Sequence, residues 1–495
     1  MERAYGVLTP VFSLPSPYGI GTLGKAAFDF IDFLSAAGAR WWQVLPVGPT
    51  GSGDSPYQTF STFAGNPWFI DPDLLAADDL LTAAELRDAE TAFPGGALVD
   101  YGALCRDRLN LLRPAAERLW QRNGAALEAF AAVQTWLPDY ARFMALRRRF
   151  CGTAWPEAVR LHDAAALRAL DAELAPDVRL HIALQWLFFR QWDALRAYAA
   201  ARNVQILGDL PIYAAPDSAD MWSEPQFFQL DGQRRPAAVA GVPPDYFSAV
   251  GQLWGNPLYD WAAMARDGFD WWLRRVQTAA RCFDALRIDH FRGLARYWAV
   301  PAGAETAQSG CWRTGPGMAL IDTLRIHFPQ MRFIAEDLGL LTDDVRRLRA
   351  RSGWPGMTVL QFAFDPSGGS AYLPHNHTQN SVCYTGTHDN TTLCAWAAEA
   401  GAAERAFAMR YLGVERPEAL PEAVLRAGMG SISALFIAPV QDWLQLGAEG
   451  RVNIPGVPTG NWRWRLLPGQ LTEHLAAQMA DTAALYSRLR VGKPS

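Results

Sequence analysis

The sequence predicts an α/β fold, a (β/α)8 barrel with helical and loop insertions between its strands. Three observations favour this fold: eight short apolar segments resemble buried strands, segments with helical spacing separate them, and acidic residues follow several of the predicted strands. An open, doubly wound sheet is the competing fold. It would place a ligand at one switch point rather than recruit carboxylates from many strand ends.

The predicted strands alternate with helices along most of the chain. The strands cover residues 5–12, 41–47, 204–207, 285–288, 332–335, 357–364, 381–384 and 434–440. The spacing of Ala27, Ile31 and Leu34 predicts a helix over 25–37 that Gly38 ends, and a later helix follows Thr342 and closes at Gly353.

The length of the chain, 495 residues, fits one barrel that carries insertions. We therefore expect residues 1–495 to form a single catalytic domain. Ala/Leu/Arg-rich composition predicts a mainly helical insertion at 73–200. A second insertion, 212–284, contains a loop rich in proline and aromatic residues.

Composition excludes several classes of function. The net charge of −5 provides no basic surface for nucleic acid. The chain lacks an apolar run of about 18 residues and its first residues lack signal-peptide features, so we expect a cytoplasmic protein without a membrane segment. Six scattered cysteines favour free thiols over disulfides or zinc. Only Lys25 and Lys493 are lysines, which leaves little scope for Schiff-base chemistry.

A glycine-rich segment, residues 19–24, fits the GxGxxG pattern of nucleotide-binding loops. The match is weak, because Ala26 stands where a magnesium-binding hydroxyl would be expected and no acidic residue ends the following strand. We expect a loop that needs glycine geometry, and a nucleotide site is the minor alternative.

Polar residues cluster at the ends of four predicted strands. They are Asp209, Asp289, Glu336 and Asp389, accompanied by His290 and His388. Such carboxylates suit either a divalent metal site or the cleavage of a glycosidic bond. Period-two alternation places Arg287 beside Asp289, which favours the ionised form of a nucleophile, although this pair could simply fix a strand register. Glu336 follows an apolar segment, so burial could raise its pKa and make it an acid.

Several ordered motifs closely resemble those of the 4-alpha-glucanotransferases, also called amylomaltases or disproportionating enzymes, within the alpha-amylase-like clan. The motifs are RIDHFRG at 287–293, AEDLG at 335–339 and GTHDN at 386–390. Segments at 13–21, 208–213, 242–247, 254–257 and 460–465 are similar to the same family, so the resemblance covers nearly the whole chain.

The resemblance implies a role for each matched residue. Asp289 would be the nucleophile of a retaining reaction, Glu336 the general acid and then base, and Asp389 a carboxylate that holds sugar hydroxyls in the transition state. Arg287 would orient Asp289, and His388 would hydrogen-bond the sugar. Further substrate contacts are expected from Asp209, Tyr57 and Asn461. The reaction needs no cofactor and no metal.

Transfer requires that a sugar hydroxyl rather than water meets the glycosyl-enzyme intermediate. The aromatic lid loop, residues 243–254, would exclude water and stack on glucan through Tyr246, Phe247 and Trp254, and Gln252 is expected to be a further substrate contact. A packed loop with core aromatics is the simpler alternative. The role of His290 stays open, because a continuing strand would direct its side chain away from Asp289.

The sequence thus predicts an enzyme that transfers alpha-1,4-glucan segments between maltooligosaccharides. A hydrolase of the same clan and a non-catalytic glucan-binding barrel are the alternatives.

Overall fold

The computed structural model describes residues 2–152, 154–244, 248–339 and 341–489. Within these ranges the strands are β1 (Ala4–Leu8), β2 (Trp41–Gln43), β3 (Gln205–Leu210), β4 (Ala238–Val242), β5 (Gln252–Pro257), β6 (Ala285–Ile288), β7 (Arg296–Pro301), β8 (Cys311–Thr314), β9 (Arg332–Ala335), β10 (Gly356–Val359), β11 (Ser381–Tyr384) and β12 (Leu435–Pro439). They form two sheets, of which the larger is the barrel.

Eight parallel strands form the nearly closed barrel, in the order β10-β11-β12-β1-β2-β3-β6-β9. The two end strands of this sheet meet beside Asp337. Ala335 N donates a hydrogen bond of 2.9 Å to Pro355 O, and Met357 N donates one of 2.8 Å to Asp337 Oδ1. The buried Asp337 carboxylate thus replaces a missing ladder bond across the seam.

All eight predicted barrel strands are confirmed, and the competing open sheet is wrong. Three strands end four or five residues earlier than predicted. The first stops at Leu8, shortly before Pro10, and the second stops at Gln43, before Pro46. Proline has no amide hydrogen to donate to a sheet, so it favours these ends. The strand predicted at 357–364 ends at Val359 and continues as a short 3-10 turn.

Helices surround the barrel and fill the insertions. They are α1 (Lys25–Ala36), α2 (Pro72–Ala77), α3 (Ala83–Ala92), α4 (Tyr101–Val133), α5 (Leu137–Arg149), α6 (Glu157–Arg160), α7 (Ala164–Ala201), α8 (Ala219–Ser223), α9 (Trp261–Arg266), α10 (Asp270–Cys282), α11 (Arg292–Ala295), α12 (Gly317–His327), α13 (Asp343–Ser352), α14 (Leu393–Glu399), α15 (Ala402–Leu412), α16 (Leu420–Gly430), α17 (Val440–Trp443) and α18 (Glu473–Leu485). No helix in the described ranges is long and apolar enough to cross a membrane.

Helix α7 connects the helical insertion to the barrel. Trp192 Nε1 donates a hydrogen bond of 3.0 Å to Cys282 O, just before β6. Two buried glutamines on the same helix hold the backbone of the loop that follows β2: Gln185 bonds the amide and carbonyl of Gly65, and Gln191 bonds those of Asp71. This support fixes the segment that follows Tyr57.

A second, antiparallel sheet in the order β5-β4-β7-β8 lies beside the barrel. The sequence did not predict it. Its first two strands lie in the predicted insertion 212–284, and its last two come after β6, so the sheet joins segments on both sides of a barrel strand. Pairing of Gly241 with Trp298 joins the two halves.

The glycine-rich segment 19–24 is a packed turn against Asp71. A Cβ atom at Gly21 would lie 1.7 Å from Val11 O, and one at Gly24 would lie 2.0 Å from Asp71 Oδ2. Thr22 donates a hydrogen bond of 2.6 Å to the same carboxylate oxygen. A carboxylate therefore lies at the start of α1, where a nucleotide phosphate would have to bind.

Candidate active site

The carboxyl ends of four barrel strands carry the predicted site residues. Asp209 lies within β3, whereas Asp289 and Glu336 directly follow β6 and β9. Because Ile288 pairs with Ala335 in these neighbouring strands, Asp289 and Glu336 occupy equivalent positions. Asp389 follows β11 in the turn 386–390, which Asn390 stabilises by accepting a 2.9 Å hydrogen bond from Thr387 N. The barrel thus brings the predicted acids to one face.

Arg287 connects two of these acids. Its Nη1 donates to both carboxylate oxygens of Asp209, at 2.7 and 2.8 Å, and to Asp289 Oδ1 at 2.9 Å. Burial alone would lower the pKa of Arg287, but the two carboxylates outweigh it and raise that pKa. The side chain of Asp209 is fully buried, whereas that of Asp289 is 27% exposed. Asp289 is therefore the member of this group that a ligand can reach.

Glu336 is held by two backbone amides. His290 N donates to Oε2 at 2.7 Å, and Leu338 N donates to Oε1 at 3.0 Å. Burial raises the pKa of Glu336 to about 7, although Arg287 and both amides act in the opposite direction. This is the direction predicted from the sequence. A carboxyl with such a pKa can both donate and accept a proton near neutral pH.

Tyr57, His388 and Trp462 form an aromatic cluster beside the acids. The rings of Tyr57 and His388 stack with centroids 5.1 Å apart, and Trp462 lies 5.8 Å from Tyr57 and 5.7 Å from His388. The Tyr57 hydroxyl donates to Asp209 Oδ2 at 2.8 Å and lies 3.3 Å from His388 Nδ1. The cluster offers both apolar ring surface and hydrogen-bonding groups, as a sugar-binding site requires.

Asp389 is fixed from the loop that follows α17. Asn453 Nδ2 donates to Asp389 Oδ1 at 2.6 Å, and Arg451 donates to the Asp389 carbonyl oxygen at 2.9 Å. His388 Nε2 lies 3.3 Å from the same Oδ1 atom. The side chain of Asp389 is 47% exposed, so its carboxylate remains accessible to a ligand. Asn453 and Arg451 were not predicted from the sequence, because no motif joins them to the acids.

The other predicted contacts differ in their surroundings. Trp254 Nε1 donates to Gln252 Oε1 at 3.1 Å, so the two residues support one another on β5. The side-chain amide of Asn461 bonds the backbone of Ile454 and Val457 and thereby shapes its own loop. Tyr246 and Phe247 lie outside the described residues. Among those described, no group of three or more His, Cys, Asp or Glu side chains is arranged to hold a metal ion.

Comparison with known proteins identifies the family. The family model described as 4-alpha-glucanotransferase matches residues 9–471. The chain belongs to the 4-alpha-glucanotransferase family. A 4-alpha-glucanotransferase of Thermus thermophilus is 46% identical over 504 residues, which cover 99% of this chain and 100% of the relative. The chloroplastic/amyloplastic 4-alpha-glucanotransferase of Solanum tuberosum is 40% identical, and the match covers 99% of this chain and 87% of the relative.

Solved structures agree with this assignment. An amylomaltase from Streptococcus agalactiae, in complex with acarbose, superposes with a TM-score of 0.95 at 37% identity and covers 99% of this chain and 100% of its own. An amylomaltase from Corynebacterium glutamicum, with a TM-score of 0.79 at 20% identity, shares the fold over 98% of this chain and 75% of its own. The family predicted from the motifs is confirmed.

Proposed function

We propose that this 4-alpha-glucanotransferase moves alpha-1,4-glucan segments from one maltooligosaccharide to the 4-hydroxyl of another by a retaining double displacement. One observation carries the proposal. Asp289 and Glu336 occupy equivalent positions on neighbouring strands, yet Asp289 accepts from a guanidinium while Glu336 is held by amides with its pKa raised to about 7. Neighbouring strands lie about 4.8 Å apart, which suits the short carboxyl separation of retaining enzymes.

In the first step, Asp289 attacks the anomeric carbon of the donor sugar. Protonated Glu336 gives its proton to the glycosidic oxygen, and the reducing-end part of the donor leaves as an alcohol. A covalent glycosyl ester on Asp289 remains. Arg287 holds the attacking carboxylate in place through its 2.9 Å hydrogen bond to Oδ1.

In the second step, the 4-hydroxyl of an acceptor sugar attacks the same anomeric carbon. Glu336, now ionised, takes the proton from that hydroxyl, and the ester bond to Asp289 breaks. The first step leaves Glu336 in the form that the second step needs. Two inversions at one carbon give net retention.

The surrounding residues bind the sugar at the point of cleavage. Asp389 accepts hydrogen bonds from its hydroxyls, His388 forms a further hydrogen bond with them, and Tyr57 offers a ring surface. The buried Asp209 acts through Arg287 and Tyr57, since its oxygens are engaged by both. Gln252, Trp254, Tyr246, Phe247 and Asn461 are proposed as contacts to the rest of the glucan. The partners of the enzyme are thus alpha-1,4-glucans.

We also propose that residues 1–495 act as one catalytic domain. Support comes from the bonds between α7 and the barrel, and from one continuous set of buried apolar side chains that joins barrel-strand residues such as Val7 and Leu286 to those of the helical insertion. The cytoplasmic location stays a prediction from the sequence.

Incubation of the purified protein with maltotriose tests the proposal. Transfer of a maltosyl unit to a second maltotriose gives glucose and maltopentaose, and repeated transfer gives a ladder of longer products. Exclusive shortening of the substrate would indicate a hydrolase instead, and absence of any product would indicate a binding protein. The Asp289→Asn variant should form no ladder and retain a normal unfolding temperature.

A further inference from the structure

The backbone at His290 makes an unusual turn directly after Asp289. Its φ angle is 49°, in the left-handed region that residues other than glycine rarely adopt. Two backbone bonds secure the turn: Phe291 N donates to Glu336 O at 3.0 Å, and Gly293 N donates to His290 O at 2.8 Å. The turn directs the amide of His290 to Glu336 Oε2, at 2.7 Å.

The imidazole ring of His290 packs between two other parts of the protein. On one side it meets Trp254 of β5 edge to face, with ring centroids 4.7 Å apart. On the other side it lies against Gly293, where a Cβ atom would come within 3.2 Å of His290 Cδ2. Burial lowers the pKa of His290 to about 4, so the ring is neutral at neutral pH. It therefore acts as a packed ring rather than as a cation.

We propose that His290 is a positioning residue, whose ring rests on Trp254 and whose amide orients the Glu336 carboxyl. The inference rests on the proposed function, in which Glu336 exchanges a proton with the sugars. Trp254 belongs to the second sheet, whereas Glu336 belongs to the barrel. His290 contacts both, so a change in the position of Trp254 reaches the acid through a single residue.

The proton affinity of Glu336 reports this coupling. A shorter amide bond favours the ionised carboxylate, and a longer one favours the protonated acid. The charged and titratable groups that face Glu336 are Arg287 on β6, Asp289 directly after β6, and Tyr372 from the loop after β10. Those that face His290 are Asp289 and Arg292. The Trp254→Ala substitution replaces none of these charged or titratable residues.

The test measures the pH profile of donor cleavage in three variants: His290→Asn, Trp254→Ala and the double variant. Asparagine tolerates the left-handed turn but lacks the ring. We expect the basic limb of kcat to move upward by about half a pH unit in each single variant, because the carboxyl loses part of its amide bond. The double variant should show no larger shift than the single variants.

Leu253→Ala is the matched control. Leu253 is exposed and directly precedes Trp254 on β5, so the two side chains point to opposite faces of the strand. The basic limb of kcat in this variant should stay where it is in wild type. If His290 has a purely structural role, the variants will have a lower kcat and a lower unfolding temperature, but the basic limb of kcat will not move. That result would overturn the proposal. A shift in the double variant equal to the sum of the two single shifts would also overturn it. If His290→Asn does not fold, Trp254→Ala against Leu253→Ala decides the question.

Failure of the proposed function gives a different result. Glu336→Gln should lower kcat with maltotriose about 100- to 10,000-fold, and the turnover that remains should show no basic limb. If the limb of the wild-type profile survives in Glu336→Gln, the assignment of the acid is wrong. If it disappears there but does not move in Trp254→Ala, only the coupling through His290 is refuted.

Discussion

Asn453 donates a 2.6 Å hydrogen bond from Nδ2 to Oδ1 of Asp389, although 64 residues separate the two along the chain. The bond leaves Asp389 Oδ2 available to a ligand. Arg451 supports this arrangement, because its Nε donates to the Asn453 carbonyl and its Nη2 donates to that of Asp389. The loop after α17 therefore sets the orientation of an acid that follows β11.

Asn453→Ala should lower kcat about 10- to 100-fold, because a hydrogen bond to a charged group contributes roughly 1.5–3 kcal/mol. Steady-state kinetics with maltotriose measures the effect. Asn380→Ala is the control, since its exposed side-chain amide donates to Gly353 O, outside the site. Asn453→Asp should be more damaging, because it places a second negative charge beside Asp389. Normal kcat in Asn453→Ala would contradict a role for this bond.

The protonation of Glu336 should also affect folding stability. Its pKa is raised from 4.5 to about 7, so between these values the folded protein binds a proton more tightly than the unfolded chain. The resulting stabilisation is fully present below the unfolded pKa and is lost as the pH rises through the folded one.

Glu336→Gln stays neutral at every pH and escapes this loss. We expect the variant to gain stability relative to wild type as the pH rises from near 5 to near 8, by on the order of 2 kcal/mol. Denaturant unfolding at both pH values measures the gain. A stability difference that is the same at both would show that the carboxyl is not perturbed by burial.

The barrel could be predicted from the sequence because each of its strands is a short local apolar segment. Ala285–Ile288, Arg332–Ala335 and Ser381–Tyr384 have the predicted bounds. The second sheet could not, since Ala238–Val242 is short and contains Gly241, and its pairing with Arg296–Pro301 spans a barrel strand. Strand preference depends on such tertiary context more than on local composition.

The same distinction applies to the site. The acids lie in or after the carboxyl ends of strands and belong to recognisable motifs, so they could be found one by one. Asn453 acts on an acid far away in sequence, and the role of His290 depends on a single left-handed backbone angle. Neither feature leaves a local pattern in the sequence. Trp462 differs from them, because the segment that contains it, 460–465, resembles the family.

Tyr57 makes two separable contacts, one through its hydroxyl and one through its ring. Tyr57→Phe removes the 2.8 Å bond to Asp209 but keeps the stacking on His388, and it should lower kcat/KM about 3- to 10-fold. Tyr57→Ala removes both and should cost at least about 100-fold. Equal losses in the two variants would show that the ring makes no contribution of its own.

Arg488 lies at the opposite end of the barrel and should control stability rather than catalysis. It is 1% exposed, and it donates hydrogen bonds to the carbonyl oxygens of Ala4 at 2.6 Å and Met429 at 2.7 Å. Further bonds to Ser431 and Ser433 join the segment after α18 to the starts of β1 and β12. Burial lowers the pKa of Arg488 to about 9.

Arg488→Met should therefore destabilise the protein by about 3 kcal/mol or more, because it leaves several buried carbonyl groups without a donor. Denaturant unfolding measures this loss, and kcat of the folded variant at low temperature should stay close to that of wild type. The exposed Arg426, whose guanidinium lies over the Tyr486 ring at 5.9 Å, is the matched control. Arg426→Met should change stability by about 0.5 kcal/mol or less. If the two variants unfold alike, the C-terminal segment does not stabilise this end of the barrel through Arg488.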